Sequence, residues 1–211
     1  MFEPTLILAI RHGQTAWNAA LRMQGQLDIA LDDTGHWQAA RLGGALAAEK
    51  LAAIYSSDLQ RALATAQALA AGTGAPIRRE AALRERAFGC FEGHTYTEIE
   101  ARWPADFARW RCREPGFAPA GGESLDAFSQ RSVTAVLALA AAHPGQTIAI
   151  VAHGGVLDCL YRAAVGIALD APRSWQLGNA TINRLLFNGE ALSLIGWNDR
   201  AHLESGTGSV A

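Results

Sequence analysis

Two apolar runs of the 211-residue chain end in the same way. Residues 5–10 (TLILAI) pass into Arg11-His12-Gly13, and residues 147–152 (TIAIVA) pass into His153-Gly154-Gly155. An imidazole held at a strand end is placed rigidly enough to attack phosphorus. A guanidinium beside it offers a bidentate, charge-assisted grip on a phosphoryl group, each bond worth about 1.5–3 kcal/mol. The same cation disfavours the imidazolium and so keeps the ring nucleophilic. Paired glycines at a helix start let the backbone approach an anion closely. Singly, these signals decide little: a histidine after a strand is more often structural, and Arg61 alone reads equally well as a solvated helix charge.

The longer context narrows the choice. Residues 11–18 read RHGQTAWN, followed by Gln24-Gly25, residues 56–62 (SSDLQRA) and residues 83–86 (LRER). Then come Phe91-Glu92-Gly93, residues 121–124 (GGES) and residues 152–155 (AHGG). This ordered set, spanning about residues 6–190, resembles the histidine phosphatase superfamily, also called the phosphoglycerate mutase-like family. The resemblance implies a phosphate-transfer enzyme that passes through a phosphohistidine. In it His12 matches the nucleophile, Arg11, Arg61 and His153 match the groups gathering the phosphoryl oxygens, and Asn18 matches a further polar contact. Gln24, Gly25, Gly154 and Gly155 complete the substrate-binding set. Glu85 matches the proton donor, since expelling an alkoxide needs a general acid that can afterwards activate water. Glu92 is its rival, and reads better as a structural carboxylate in a Gly-flanked turn.

These residues need elements to hold them. The pattern predicts strands at 5–10, 53–55, 76–79 and 147–152, and a terminal hairpin turning at Asn188-Gly189. Helices are expected from a Thr34 cap to about residue 50, from a Ser57–Gln60 capping box to about 71, and from Ser124 to about 142. One more is expected to start at Val156, and short helices to cover 97–103 and 105–111. Strands alternating with helices give an α/β fold: three α/β/α layers, a mainly parallel mixed sheet with one antiparallel strand from the hairpin, and a small helical lid insertion. The expectation is one domain over residues 1–203, with the lid at about 94–122 and a frayed tail at 204–211.

Within the family the choice lies between a hydrolase and a cofactor-dependent phosphoglycerate mutase. Mutases resemble one another in carrying a longer basic insertion between the acid and the final histidine. Here only 38 positions (123 − 85) separate Glu85 from Glu123, lysine is almost absent, and Phe88 stands where mutases carry tyrosine. These departures favour a phosphomonoester hydrolase acting on a small phosphorylated metabolite. A non-catalytic phosphate-binding module is a third reading, disfavoured because neither the histidines nor the acid are lost. Trp103, Phe107 and Trp110, among Arg109, Arg111 and Arg113, fit equally a lid over the leaving group or a small separate core.

Bulk properties exclude other classes. The net charge of -2 gives no nucleic-acid footprint, and the longest apolar stretch, residues 135–142, is too short to span a membrane. No signal-peptide pattern precedes residue 5. Cys90, Cys112 and Cys159 have no CxxC spacing and read as reduced thiols of a cytoplasmic protein. The histidines show no metal-ligand spacing, so neither a metal nor another cofactor is expected. The partner expected is the small phosphorylated substrate itself, and the oligomeric state stays open, a homodimer included.

Overall fold

A computed structural model describes residues 3–204 of the chain. In order, β1 (Thr5–Arg11), α1 (Ala16–Ala19), α2 (Asp33–Ala45), β2 (Leu51–Ser56), α3 (Gln60–Thr73) and β3 (Ile77–Arg79) form the first half. Then follow α4 (Tyr96–Arg102), α5 (Pro104–Arg111), α6 (Leu125–Ala141), β4 (Thr147–Ala152), α7 (Gly154–Val165), β5 (Ile182–Phe187), β6 (Leu192–Asp199) and α8 (Ala201–Glu204). The six strands form one sheet in the order β3-β2-β4-β1-β5-β6. Contacts from β3 to β1 are parallel, while β5 runs antiparallel to both of its neighbours, as the terminal hairpin predicts.

The two-residue period of a strand decides which face each side chain covers. Ile7 and Ala9 of β1 join Ile148 and Ile150 of β4 beneath Phe128 and Val136 of α6 and Val156 and Leu160 of α7. Leu8 and Ile10, with Ala149 and Val151, turn to the other face, beneath Leu42 and Leu46 and the α3 residues Ala62, Ala66 and Leu69. A central strand buried on both faces must be apolar throughout, which is why TLILAI and TIAIVA show no alternation in sequence.

Several helix starts differ from the sequence expectation, each for a local reason. Asp32, not Thr34, caps α2, with its Oδ1 accepting from Gly35 N at 2.7 Å, and the helix stops at Ala45 rather than near residue 50. Ser57 does not cap α3 in a capping box. Gln60 N donates instead to Asp28 Oδ1 at 2.7 Å, a cap supplied by a loop distant in sequence. The helix runs to Thr73, two residues past its expected end, and is stopped by Gly74 in a left-handed conformation. α7 begins at Gly154, not at Val156, because a carboxylate from elsewhere takes the place of a local cap, as described below. Glu204 lies within α8 and pairs with Arg200, so no tail begins there; the remaining tail positions, 205–211, lie outside the described residues.

Residues 94–122 carry α4, begun by a Thr95–Glu98 capping box, and α5, begun by Pro104. Phe91, Ile99, Phe107 and Phe117 gather with Met23 into a small core of their own, against which Trp103 and Trp110 pack. This segment is fastened at its start to the loop after α1: Met23 N donates to His94 O at 2.9 Å and Gly93 N donates to Met23 O at 2.8 Å. Among the described residues no helix is long and apolar enough to cross a membrane.

Candidate active site

Three neighbouring parallel strands deliver the central side chains. β2, β4 and β1 lie side by side, with Ser56 opposite Val151 and Ala152 opposite Arg11. Ser57, His153 and His12 therefore leave adjacent carboxyl ends, where open α/β sheets bind ligands.

His12 is 3% exposed. Its backbone N donates to Ala152 O at 3.0 Å, and its carbonyl accepts from Asn179 Nδ2 at 2.9 Å. The ring Nδ1 lies 2.7 Å from Gly13 O, an acceptor only, so the proton is assigned to Nδ1 and the Nε2 lone pair is left for the cavity. Burial, then the charges of Arg61 and Arg11, hold this imidazole well below the usual histidine range. The sequence expectation attributed this to the arginines; desolvation is the larger cause.

His153 is wholly buried, with its ring centroid 5.1 Å from that of His12. Its Nε2 lies 2.8 Å from Ser57 Oγ, which itself accepts from Leu59 N at 3.4 Å. Assigning the serine proton to this bond puts the imidazole proton on Nδ1, which has no partner among the described residues. Burial also lowers the His153 pKa well below its ordinary value, with Arg61 and His12 adding to the effect.

Two guanidinium groups surround the histidines, each partly committed to backbone. Arg61 donates from its two terminal nitrogens to Leu27 O and Gly25 O, both at 2.7 Å. Arg11 donates to Leu177 O. In both, the Nε–H is buried and unpartnered among the described residues. Burial pulls Arg61 down to about 10, still cationic at neutral pH. Buried donors without acceptors are costly, and three converging here describe a place for a multiply charged oxyanion.

Glu85 faces this cluster from the loop after β3. Its Oε1 accepts from Arg86 N at 2.8 Å and its Oε2 from Gly155 N at 3.0 Å. The second bond is the missing cap of α7, and it explains why the helix can start on two glycines. A Cβ on Gly155 would fall 2.2 Å from Glu85 Oε1 and 3.0 Å from the Phe128 ring. Asn18 closes a capping box with Thr15 through its Oδ1, and Gln24 Oε1 is buried without a partner among the described residues. Gly25 adopts φ +53, and a Cβ there would meet Glu92 Oε1 at 2.0 Å. Glu92 itself accepts from Gln26 N at 3.0 Å and Phe88 N at 2.9 Å, which makes it a brace for these loops.

Nine of the ten sequence-derived positions line one cavity of about 850 Å³; His153 stands behind them against Ser57. Sequence reasoning missed much of the remaining wall. Among the described residues, Arg22, Arg86, Arg111, Arg113 and Arg173 join Arg11 and Arg61, against only Glu85 and Asp158 as lining carboxylates. Arg22, Arg86 and Arg173 come from separate segments with no shared spacing to mark them, whereas Arg111 and Arg113 fall in the segment already read as a possible lid. Segment 103–113 divides between its two readings: Trp103 and Phe107 belong to the small core, Arg111 and Arg113 reach the cavity, and Trp110 does both. Ser57 had a usable signal, since it follows β2 as His12 follows β1. Among the described residues no group of three or more His, Cys, Asp or Glu is placed to hold a metal ion.

A family profile, histidine phosphatase superfamily (branch 1), matches residues 7–200, nearly the whole described chain. The chain belongs to this superfamily. It is 37% identical over 202 residues to Phosphoglycerate mutase-like protein 4 of Arabidopsis thaliana, covering 94% of this chain and 86% of that one. It is 39% identical over 183 residues to the Glucosyl-3-phosphoglycerate phosphatase of Mycolicibacterium vanbaalenii, covering 83% and 81% of the two chains. The solved structure of a mycobacterial glucosyl-3-phosphoglycerate phosphatase with VO3 superposes with a TM-score of 0.81 at 34% identity, covering 94% of this chain and all of that one. In this histidine phosphatase, blocks that do not reach the cavity act as braces. Asp58 takes a bidentate pair of bonds from Arg84 at 2.7 and 2.6 Å, and Glu123 Oε1 binds Ala87 N and Arg131 at 2.9 and 2.6 Å.

Proposed function

We propose that the protein hydrolyses a small phosphomonoester through a phosphohistidine on His12. The observation that carries this reading is the neutral His12 ring. Its Nδ1–H is tied to Gly13 O and its Nε2 is free, amid buried guanidinium and imidazole donors that lack acceptors. A phosphoryl dianion supplies those acceptors. Arg11, Arg61 and His153 then hold its equatorial oxygens and stabilise the charge of the transferring group, while Nε2 attacks in line. Glu85, anchored on two backbone N–H groups, protonates the leaving alkoxide and afterwards takes a proton from the water that cleaves the N–P bond. Asn18, Gln24, Gly25, Gly154 and Gly155 shape the surroundings of the phosphate. Residues 94–122 form the lid that meets the leaving group through Trp110, Arg111 and Arg113.

Seven lining arginines against two carboxylates exceed what one phosphate dianion balances, so the preferred substrate carries a further negative charge. The short connection from Glu85 to Glu123 favours transfer to water over transfer to a second hydroxyl, and so does the similarity to a named phosphatase. The cytoplasm is the compartment that suits three unpaired cysteines.

The test is the fate of 3-phosphoglycerate given with a trace of 2,3-bisphosphoglycerate, beside a panel of other phosphomonoesters. Phosphate release far exceeding isomerisation, with acid-labile phosphate on His12 after quenching, is the expected result. Rapid formation of the 2-isomer with little phosphate release would make the protein a mutase.

A further inference from the structure

The cavity has a second polar corner that the phosphate chemistry leaves unused. Asp158 lies on α7, one turn beyond Gly154, and is 4% exposed. Its Oδ2 accepts from Arg113 at 2.6 Å and from Arg162 Nε at 3.0 Å. Its Oδ1 is buried, belongs to a cavity-lining residue, and has no partner among the described residues. Trp175, another lining residue, likewise has a buried Nε1–H without a partner. The two adjoin one group: Arg162 binds Asp158 and lies 4.8 Å from the Trp175 ring centroid.

Neither orphan is an accident of a loose surface. Arg162 is 1% exposed, and its terminal nitrogens donate to Ala168 O and Ala171 O. Arg113 Nε donates to Leu169 O at 2.7 Å. The corner is therefore fixed before any ligand arrives, with an unused acceptor and an unused donor.

We propose that this corner is a specificity subsite for the leaving alcohol, binding a hydroxyl that donates to Asp158 Oδ1 and accepts from Trp175 Nε1. The proposal rests on the reading of the cavity as a phosphomonoesterase site. Two guanidinium groups share the one carboxylate, so the corner is net positive and favours a neutral hydroxyl over an ammonium. Three to four residues of helix separate Asp158 from Gly154 and Gly155, about 4.5–6 Å along the axis. Glu85, held on Gly155, protonates the ester oxygen, so the recognised hydroxyl sits one or two carbons beyond the ester carbon. The substrate class is a hydroxylated phosphomonoester of the glycerate or sugar type.

The experiment compares kcat/KM for 3-phosphoglycerate, its analogue lacking the 2-hydroxyl, and O-phosphoserine, which carries an ammonium there. The wild-type enzyme should prefer the hydroxylated substrate over the deoxy analogue by about 10- to 100-fold, the worth of one hydrogen bond to a charged group. Trp175→Phe, which removes only the N–H and keeps the ring over Arg162, should cut that preference several-fold. Asp158→Asn should abolish it: Arg113 and Arg162 hold the amide oxygen, so the NH₂ takes the position of Oδ1 and replaces an acceptor with a donor. Because the readout is a ratio between substrates, a general loss of activity cancels, and Trp175→Phe decides alone if Asp158→Asn does not fold. Equal hydrolysis of the hydroxylated and deoxy substrates, faster hydrolysis of O-phosphoserine, or a preference untouched by these variants would overturn the subsite while leaving the phosphatase reading intact. Failure of the wild-type enzyme to hydrolyse any of them would instead overturn the reading beneath it.

Discussion

Gly155→Ala should separate leaving-group protonation from phosphate binding. The new methyl would meet Glu85 Oε1 at 2.2 Å, whereas ordinary contact begins near 3.4 Å, so about 1.2 Å of movement is required. Phe128, whose ring would lie 3.0 Å away on another side, is 1% exposed and cannot yield. The carboxylate must therefore shift, and the 3.0 Å bond from Gly155 N to Oε2 breaks. A 1 Å misplacement of a catalytic group costs about 100-fold, or about 2.7 kcal/mol in the barrier. That loss should appear in kcat/KM for an alkyl phosphate, which needs its leaving oxygen protonated. For 4-nitrophenyl phosphate, whose leaving group needs little help, kcat/KM should fall less than about fivefold. Alanine improves helix propensity by about 1 kcal/mol, but the overlap and the lost cap bond oppose that gain, so thermal unfolding is followed alongside and the alkyl-to-aryl ratio cancels any loss of folded enzyme. Gly154→Ala is the internal comparison: its methyl would lie 3.5 Å from Arg11 Nε, and the alkyl-to-aryl ratio should stay near wild type. Equal losses for both substrates, or an alkyl loss below about threefold, would refute the placement of Glu85 as the acid.

Other outcomes follow from the same geometry. His12→Ala should lose essentially all turnover while still binding phosphate weakly through Arg11 and Arg61, and activity within tenfold of wild type would exclude the nucleophile assigned here. Ser57→Ala strands His153 Nε2 in a fully buried position and should cost about 1–3 kcal/mol in stability, read from urea unfolding, together with weaker phosphate binding. His12 and His153 have folded-state pKa values below their ordinary 6.5, so the unfolded chain binds more protons as pH drops past that point. Stability should be fully present above pH 6.5 and fall by up to about 1.4 kcal/mol per histidine per pH unit below it; an unfolding free energy unchanged between pH 7.5 and 5.5 would contradict this.

The parts legible in the sequence were those written in local pattern. TLILAI and TIAIVA announce central strands because burial on both faces leaves no polar positions, and the glycine and serine at 74 and 124 mark helix ends by well-understood local chemistry. What escaped were the partners that arrive from afar. Ser57 and Gln60 have the spacing of a capping box, yet the tertiary structure gives the serine to His153 and supplies Asp28 as the cap. Residues 154–155 look like a poor helix start until Glu85 is brought onto Gly155 N. Asp158 was overlooked although it falls one turn after Gly154, on the face that turns toward the cavity. Arg22, Arg86 and Arg173 carry no periodicity because separate loops contribute them.

The place of β1 in the sheet has a consequence for synthesis. Of the six strands, β1, which leads into His12, leaves the ribosome before the others, but its two neighbours are β4 and β5, in which Leu6 meets Thr147 and Thr5 meets Phe187. Even the carbonyl of His12 waits for Asn179, 167 residues downstream. At about 5–20 residues per second, that delay is on the order of ten to forty seconds. Until β4 is made, which is most of that delay, an apolar strand meant for the middle of a sheet has neither edge covered, a condition that invites pairing with another nascent chain. The His12 imidazole is thus made before the other five strands and seated only after β5, and a chain that stops before the terminal hairpin would hold all ten candidate site residues without the strand that closes β1 into the sheet.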